Sequence, residues 1–180
     1  SNHMSTLSVD TIQGQTTAAN VLITGHVIQH KVHNLTTATT ATGVNQTYTD
    51  LTGGSFSFTP KQSGSKLYIT MINHIYVERS NTSWGAAVGR LVVDGNAQSE
   101  KGDGGVNNAY GVGIRDTDGS ASYTIRLMGY DMQQHEYTTT GTSAITIKGQ
   151  FYCENVSDQI QFNKYGRGSI TVLEISVWVL

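Results

Sequence analysis

The chain has 180 residues, of which 37% are hydrophobic and 13% charged, with a formal net charge of -2 at pH 7. That length suits one domain burying roughly two thirds of its unfolded surface, and the charge balance supplies no electrostatic basis for binding nucleic acid or an anionic membrane. One cysteine excludes an intrachain disulfide, and 20 Gly against a single Pro, amid many Thr and Ser and few helix formers, specify an all-β chain.

Residues 1–4, Ser-Asn-His-Met, read as a cloning remnant ahead of a native start at Met4 or Ser5. No secretion signal and no apolar run of about 18 residues is found. Residues 5–25, STLSVDTIQGQTTAANVLITG, hold too few apolar side chains to bury a core and are expected to form an N-terminal arm before a head domain over 26–180. From there alternation and turn residues predict ten strands, at 26–33, 47–51, 55–60, 65–78, 86–94, 109–115, 121–131, 143–154, 158–163 and 169–180. In 65–78, Leu67, Ile69, Met71, Ile75 and Val77 share one face, opposite Tyr68, Thr70, Ile72, His74 and Tyr76. In 143–154, Ile145, Ile147, Phe151 and Cys153 share a face, which makes Cys153 a small buried hydrophobe and not a nucleophile. Many short strands punctuated by Gly53-Gly54, Asp94-Gly95, Asp118-Gly119 and Gly166 through Gly168 predict a jelly-roll β-sandwich.

The closing stretch SITVLEISVWVL is apolar on both sides. Leu173, Ile175, Val177 and Val179 alternate with Ile170, Val172, Trp178 and Leu180. Such a strand is central in a closed structure or covered by another subunit. Counting strands as alternating in direction gathers the loops 34–46, 61–64, 95–108, 132–142 and 164–168 at one end and both termini at the other. These tip loops offer Lys101, Asp103, Asn107, Asn108, Tyr110, His135, Tyr137, Tyr165 and Arg167 as candidate ligand-binding residues. Aromatic faces beside amides and charges suit stacking on, and hydrogen bonding to, sugar rings; the alternative is ordinary solvated loops.

Constellations for catalysis are not evident. No GxSxG, HExxH or GxxxxGK[ST] motif occurs, and the acidic residues lie mostly at turns, where Asp bonds its own backbone. Asp116-Thr-Asp-Gly119 lacks the distal ligands of a calcium loop and reads as a hairpin turn. His26 and His30, on one strand face, lie about 13 Å apart, too far for one ion. The expectation is a protein without enzymatic activity, cofactor or metal. Sequons at Asn34, Asn45, Asn81 and Asn155 read as products of composition.

Three segments, STLSVDTIQGQTTAANV at the start, SFSFTPKQSGSKLYI around Pro60 and the closing SITVLEISVWVL, resemble short tail-fibre-like virion structural proteins of marine bacteriophages. The resemblance implies an arm that attaches to a virion partner, a C1q/TNF-like homotrimeric jelly-roll head, and a place in the virion after synthesis in the bacterial host cytoplasm. It also implies that the second face of the last strand lies in the threefold contact, with Val172, Glu174, Trp178 and Leu180 as interface residues and Glu174 paired to a cation of a neighbour. The expected function is recognition of a host-surface glycan or protein receptor through the tip loops, with no nucleic acid and no membrane insertion. Two other readings stay open: a capsid decoration or tail-connector protein without receptor binding, and a polysaccharide depolymerase.

Overall fold

The computed structural model describes residues 25–42, 47–80, 84–98, 112–115, 124–154 and 159–177. Residues 5–24 of the arm, the candidate site residues Lys101, Asp103, Asn107, Asn108, Tyr110, Trp178 and Leu180, and the Asp116–Gly119 turn lie outside them. The elements are β1 (Val27–Leu35), β2 (Thr39–Thr42), β3 (Thr49–Phe58), β4 (Lys66–Ser80), β5 (Trp84–Val93), β6 (Asn96–Ala97), β7 (Val112–Arg115), β8 (Thr124–Thr138), β9 (Ile145–Glu154), β10 (Gln159–Phe162) and β11 (Gly168–Ile175). All are strands, paired antiparallel into two sheets. The first contains β1, β2, β4, β8, β10 and β11, the second β3, β5, β6, β7 and β9.

The core forms where the inward rows of the two sheets meet. Leu67, Ile69, Met71, Ile75 and Val77 of β4, Ile170 and Val172 of β11, Ile147, Phe151 and Cys153 of β9, and Ala87, Leu91 and Val93 of β5 form one apolar cluster, in the alternation that a half-buried strand requires. Cys153 is fully buried, and burial pushes its thiol up to about 12, so it is inert packing.

Two irregularities reorganise the expected strand count. Gly53-Gly54 does not end a strand: β3 runs through it with a register shift between Asp50 and Ser55, and Gly53 takes φ +67, the bulge geometry glycine permits. Second, β10 and β11 run in the same direction along one side of β4, β10 beside Glu78–Ile75 and β11 beside Ile72–Lys66. Residues 163–167 leave the sheet between them and return without reversing. β1 and β2 are likewise successive pieces of one path beside β11 and β10. Each misread break added one strand to the alternation count: the first inverted the ends assigned to the elements between it and 163–167, and the second restored them for β11.

The corrected geometry has a near end and a far end. At the near end lie Val27 and Ile175, paired to each other, with the turns 59–65, 94–95 and 139–144. At the far end lie Thr42, Ser80, Glu154 and Gln159. The described parts of 61–64, 95–108 and 132–142, expected opposite the termini, therefore sit beside them, while 36–38 and 163–167 lie midway.

Glu174 holds the near end together. It is completely buried and its carboxylate accepts the Lys61 N–H at 2.9 and 3.0 Å, the Gln62 N–H at 3.1 Å and the Ser65 hydroxyl at 2.7 Å. The Thr139 hydroxyl donates to Gln62 O at 2.8 Å, and Gln62 Nε2 donates to Val177 O at 2.9 Å. Val172 is a core residue. Both assignments to a subunit contact are thus corrected: Val172 and Glu174 face inward, and the partner of Glu174 is a turn of its own chain.

Asp131 braces the two sheets. β7 pairs β5 only over Trp84–Ala87 and β6 only over Val92–Val93; between them, Gly89 N–H donates to Asp131 Oδ2 at 2.8 Å, while Gln133 Nε2 donates to Oδ1 at 3.0 Å. Among the described residues no cation offsets this carboxylate, and burial raises its pKa above the ordinary 3.8. Because the folded value is the higher one, the ionised form is disfavoured, and the wild-type fold gains stability as pH falls from neutral through the raised value, levelling off below 3.8. Asp50, Glu78 and Glu136 are shifted the opposite way, but comparison with Asp131→Asn cancels them. Melting temperatures from about pH 7 to about pH 4 should show the wild type gaining on Asp131→Asn with acidification; parallel curves would refute the assignment.

Candidate interaction surface

The outer face of the first sheet is built by the alternate residues of β1, β11, β4 and β8. Beside Tyr68, Thr70, Ile72, His74, Tyr76 and Glu78 of β4 stand Glu136, Gln134, Met132, Tyr130, Met128 and Arg126 of β8, and Leu173 and Thr171 of β11 on the other side. β8 inverts the usual pattern. Its inward Asp131 and Gln133 are buried, while Met128, Tyr130 and Met132 face outward at 58%, 64% and 56% exposure. A stable monomer gains nothing from three large apolar side chains in water opposite two polar ones in the interior.

The face divides along its length. Towards the near end it is apolar: Val32, Tyr68 and Met132 are exposed, and Ile72, Leu173 and Ile175 half-buried. Four strands about 4.8 Å apart and roughly seven residues long give the near half on the order of 400 Å², which these apolar side chains share with His30, Thr70, Thr171 and Gln134. Its rim carries the Lys66–Glu136 ion pair at 2.7 Å, which leaves no net charge there. Tyr68 also bonds Glu136, and this raises the tyrosine pKa.

Towards the far end the face is aromatic and polar. The 163–167 turn is pinned onto β4: Asn163 N–H donates to His74 O at 2.7 Å, His74 N–H donates to Asn163 Oδ1 at 3.0 Å, and Asn163 Nδ2 donates to Asn73 Oδ1 at 3.1 Å. Asn163 adopts φ +59 to do this, a conformation asparagine tolerates. Gly166 packs so closely on His74 that a Cβ would stand 2.7 Å from the imidazole. The Tyr165 ring meets Tyr76 edge-on at 5.0 Å, and Tyr130 meets His74 edge-on at 5.3 Å. Tyr76 donates its hydroxyl to Glu78, which also accepts Arg126 Nε at 2.9 Å; these two bonds hold Glu78 below the ordinary carboxylate range.

The candidate ligand residues are therefore dispersed. Tyr165 and Arg167 belong to this far, aromatic region and are exposed. His135 and Tyr137 lie in β8, half-buried and on its inward row. Burial lowers the His135 pKa; the Tyr137 ring packs against the core and its hydroxyl donates to Asp94 Oδ2 at 3.3 Å. Sequence reasoning missed Met128, Tyr130, Met132 and Lys164. The signal was the alternation of LMGYDMQQHEY, with its apolar row set against polar residues. Among the described residues no cluster of metal-ligating side chains occurs, and His33 instead bonds Gly53 O at 2.7 Å and stacks on Phe56. Compared with known proteins, the chain matches no family model and no curated sequence.

Proposed function

We propose that the chain is a non-enzymatic, homotrimeric jelly-roll head of a tail-fibre-like virion protein, attached through residues 5–25, self-associating through the near half of its outer sheet face and recognising a host-surface glycan. The carrying observation for self-association is the near half of the outer face, where Val32, Tyr68 and Met132 are exposed. Strand order supports a jelly roll. With each collinear pair taken as one strand, the sheets run β1/β2, β10/β11, β4, β8 and β3, β9, β5, β7, and the chain crosses between sheets at nearly every step. Among the described residues, the acidic side chains that are already engaged support recognition without turnover. Asp50 bonds Lys148 and Gln150, Glu78 bonds Arg126, Glu136 bonds Lys66, and Asp131 and Glu174 are bound to backbone.

Light scattering at micromolar concentration is expected to give a trimer. Tyr68→Glu with Met132→Glu, both at exposed positions, is expected to give a folded monomer by circular dichroism, because two charges buried without partners outweigh a patch of this size. A wild-type monomer, or a double variant that stays trimeric, refutes the contact. Adsorption of the labelled protein to host cells tests the recognition role.

A further inference from the structure

We infer that the far half of the outer face is a binding site for an acidic saccharide, a hydroxylated ring bearing an anionic group. This rests on the recognition reading above and names its ligand. Tyr130 and Tyr165 are 64% and 56% exposed. Each is fixed edge-on against a buried ring of β4, His74 and Tyr76. Those two anchors are two residues apart on one strand face, about 7 Å, a spacing on the scale of a pyranose. Rigid tyrosines offer apolar area to the C–H faces of a sugar at low entropic cost.

The charge of the region selects an acidic ring. Lys164 Nζ lies 5.1 Å from the Tyr165 ring centroid, and Arg167, two residues beyond Tyr165, is exposed and has no acidic partner among the described residues. Glu78 is already neutralised by Arg126. Among the described residues the region therefore carries excess positive charge, within a chain of net charge -2. His74 Nδ1, on the residue packed under Gly166, and Gln161 Oε1, on the adjoining β10, are buried with no hydrogen-bond partner, the condition a ligand hydroxyl or a bridging water relieves. The site also lies away from the near end, where the arm enters through Gly25 and Val27. The arm's entry and the proposed site are thus separated by about half the length of β4.

Calorimetric titration of the full chain with mannuronate oligosaccharides, with malto-oligosaccharides of equal length and with inorganic phosphate tests the site. The oligouronate is expected to bind, with the neutral sugar at least roughly tenfold weaker. Tyr165→Ala and Arg167→Glu should each lower oligouronate affinity about tenfold. Lys61→Glu, the same kind of charge change on an exposed near-end residue, should leave it unchanged. Equal binding of the neutral sugar overturns the acidic assignment, and phosphate competing as well as the oligouronate reduces the site to an anion patch and overturns the saccharide. Binding that survives both variants, or no binding at millimolar ligand, overturns the site. Host-cell adsorption without oligouronate binding removes this inference alone, whereas oligouronate binding without host-cell adsorption removes the wider reading and leaves the site standing.

Discussion

Glu174→Ala is expected to destabilise the fold by about 4 kcal/mol, near the upper limit for a single substitution. The carboxylate is fully buried and takes the N–H groups of Lys61 and Gln62 and the hydroxyl of Ser65. Removing it leaves the two N–H groups short of an acceptor, each at a cost of about 1–3 kcal/mol when buried, while the Ser65 hydroxyl can turn to Gln62 O at 2.8 Å. Relief from desolvating a carboxylate offsets part of that sum. Glu174→Gln retains one acceptor oxygen but turns an NH₂ towards backbone donors, so it should lose roughly half as much. Denaturant unfolding followed by tryptophan fluorescence measures both. A loss under about 1 kcal/mol for alanine would show that water replaces the carboxylate without penalty.

Gly168→Ala should cost about 3 kcal/mol, from overpacking and not from a lost bond. A Cβ there would overlap Asn163 Oδ1 and stand 2.6 Å from Ile72 O. Asn163 cannot yield without surrendering its bonds to His74 and Asn73, and the Ile72 carbonyl is fixed in the pairing of β4 with β11 and β8. The expected fall in melting temperature is on the order of 10 °C for a chain of this size. Because the same shift displaces Tyr165, it should also weaken oligouronate binding. A melting temperature within about 2 °C of wild type would mean that the sheet opens at this point without strain.

Strand identity was legible wherever alternation was strong. The inward row of β4 and the shared face of Ile147, Phe151 and Cys153 are as their spacing predicts. Direction was not, because Gly53-Gly54 and residues 163–167 carry the residues of reversing turns while the chain holds its course, a choice made by pairing with β9 and β4. The burial of Glu174 depends on a turn more than a hundred residues away, which no local pattern encodes. Tyr165 and Arg167 could be singled out as solvent-facing aromatic and cationic groups. Their neighbour Tyr130 was hidden because the polar run Gln133-Gln134-His135-Glu136 resembled a loop and cut short the alternation of β8, whose outward row is set by pairing with β4. The apolar face was misassigned for a related reason: period two says which residues of the last strand travel together, but not which row faces the interior.

The paired interruptions at 36–38 and 163–167 lie abreast, since Leu35 faces Gly168 and Thr39 faces Phe162. Together they make a transverse seam where two neighbouring segments step out of register and resume their heading. Extra residues spliced there would lengthen an excursion without reversing any later segment, so the topology is indifferent to their number. Length and composition at the seam are thus free to vary, with Asn163 and Gly166 as fixed posts, while the rest of the architecture stays unaltered.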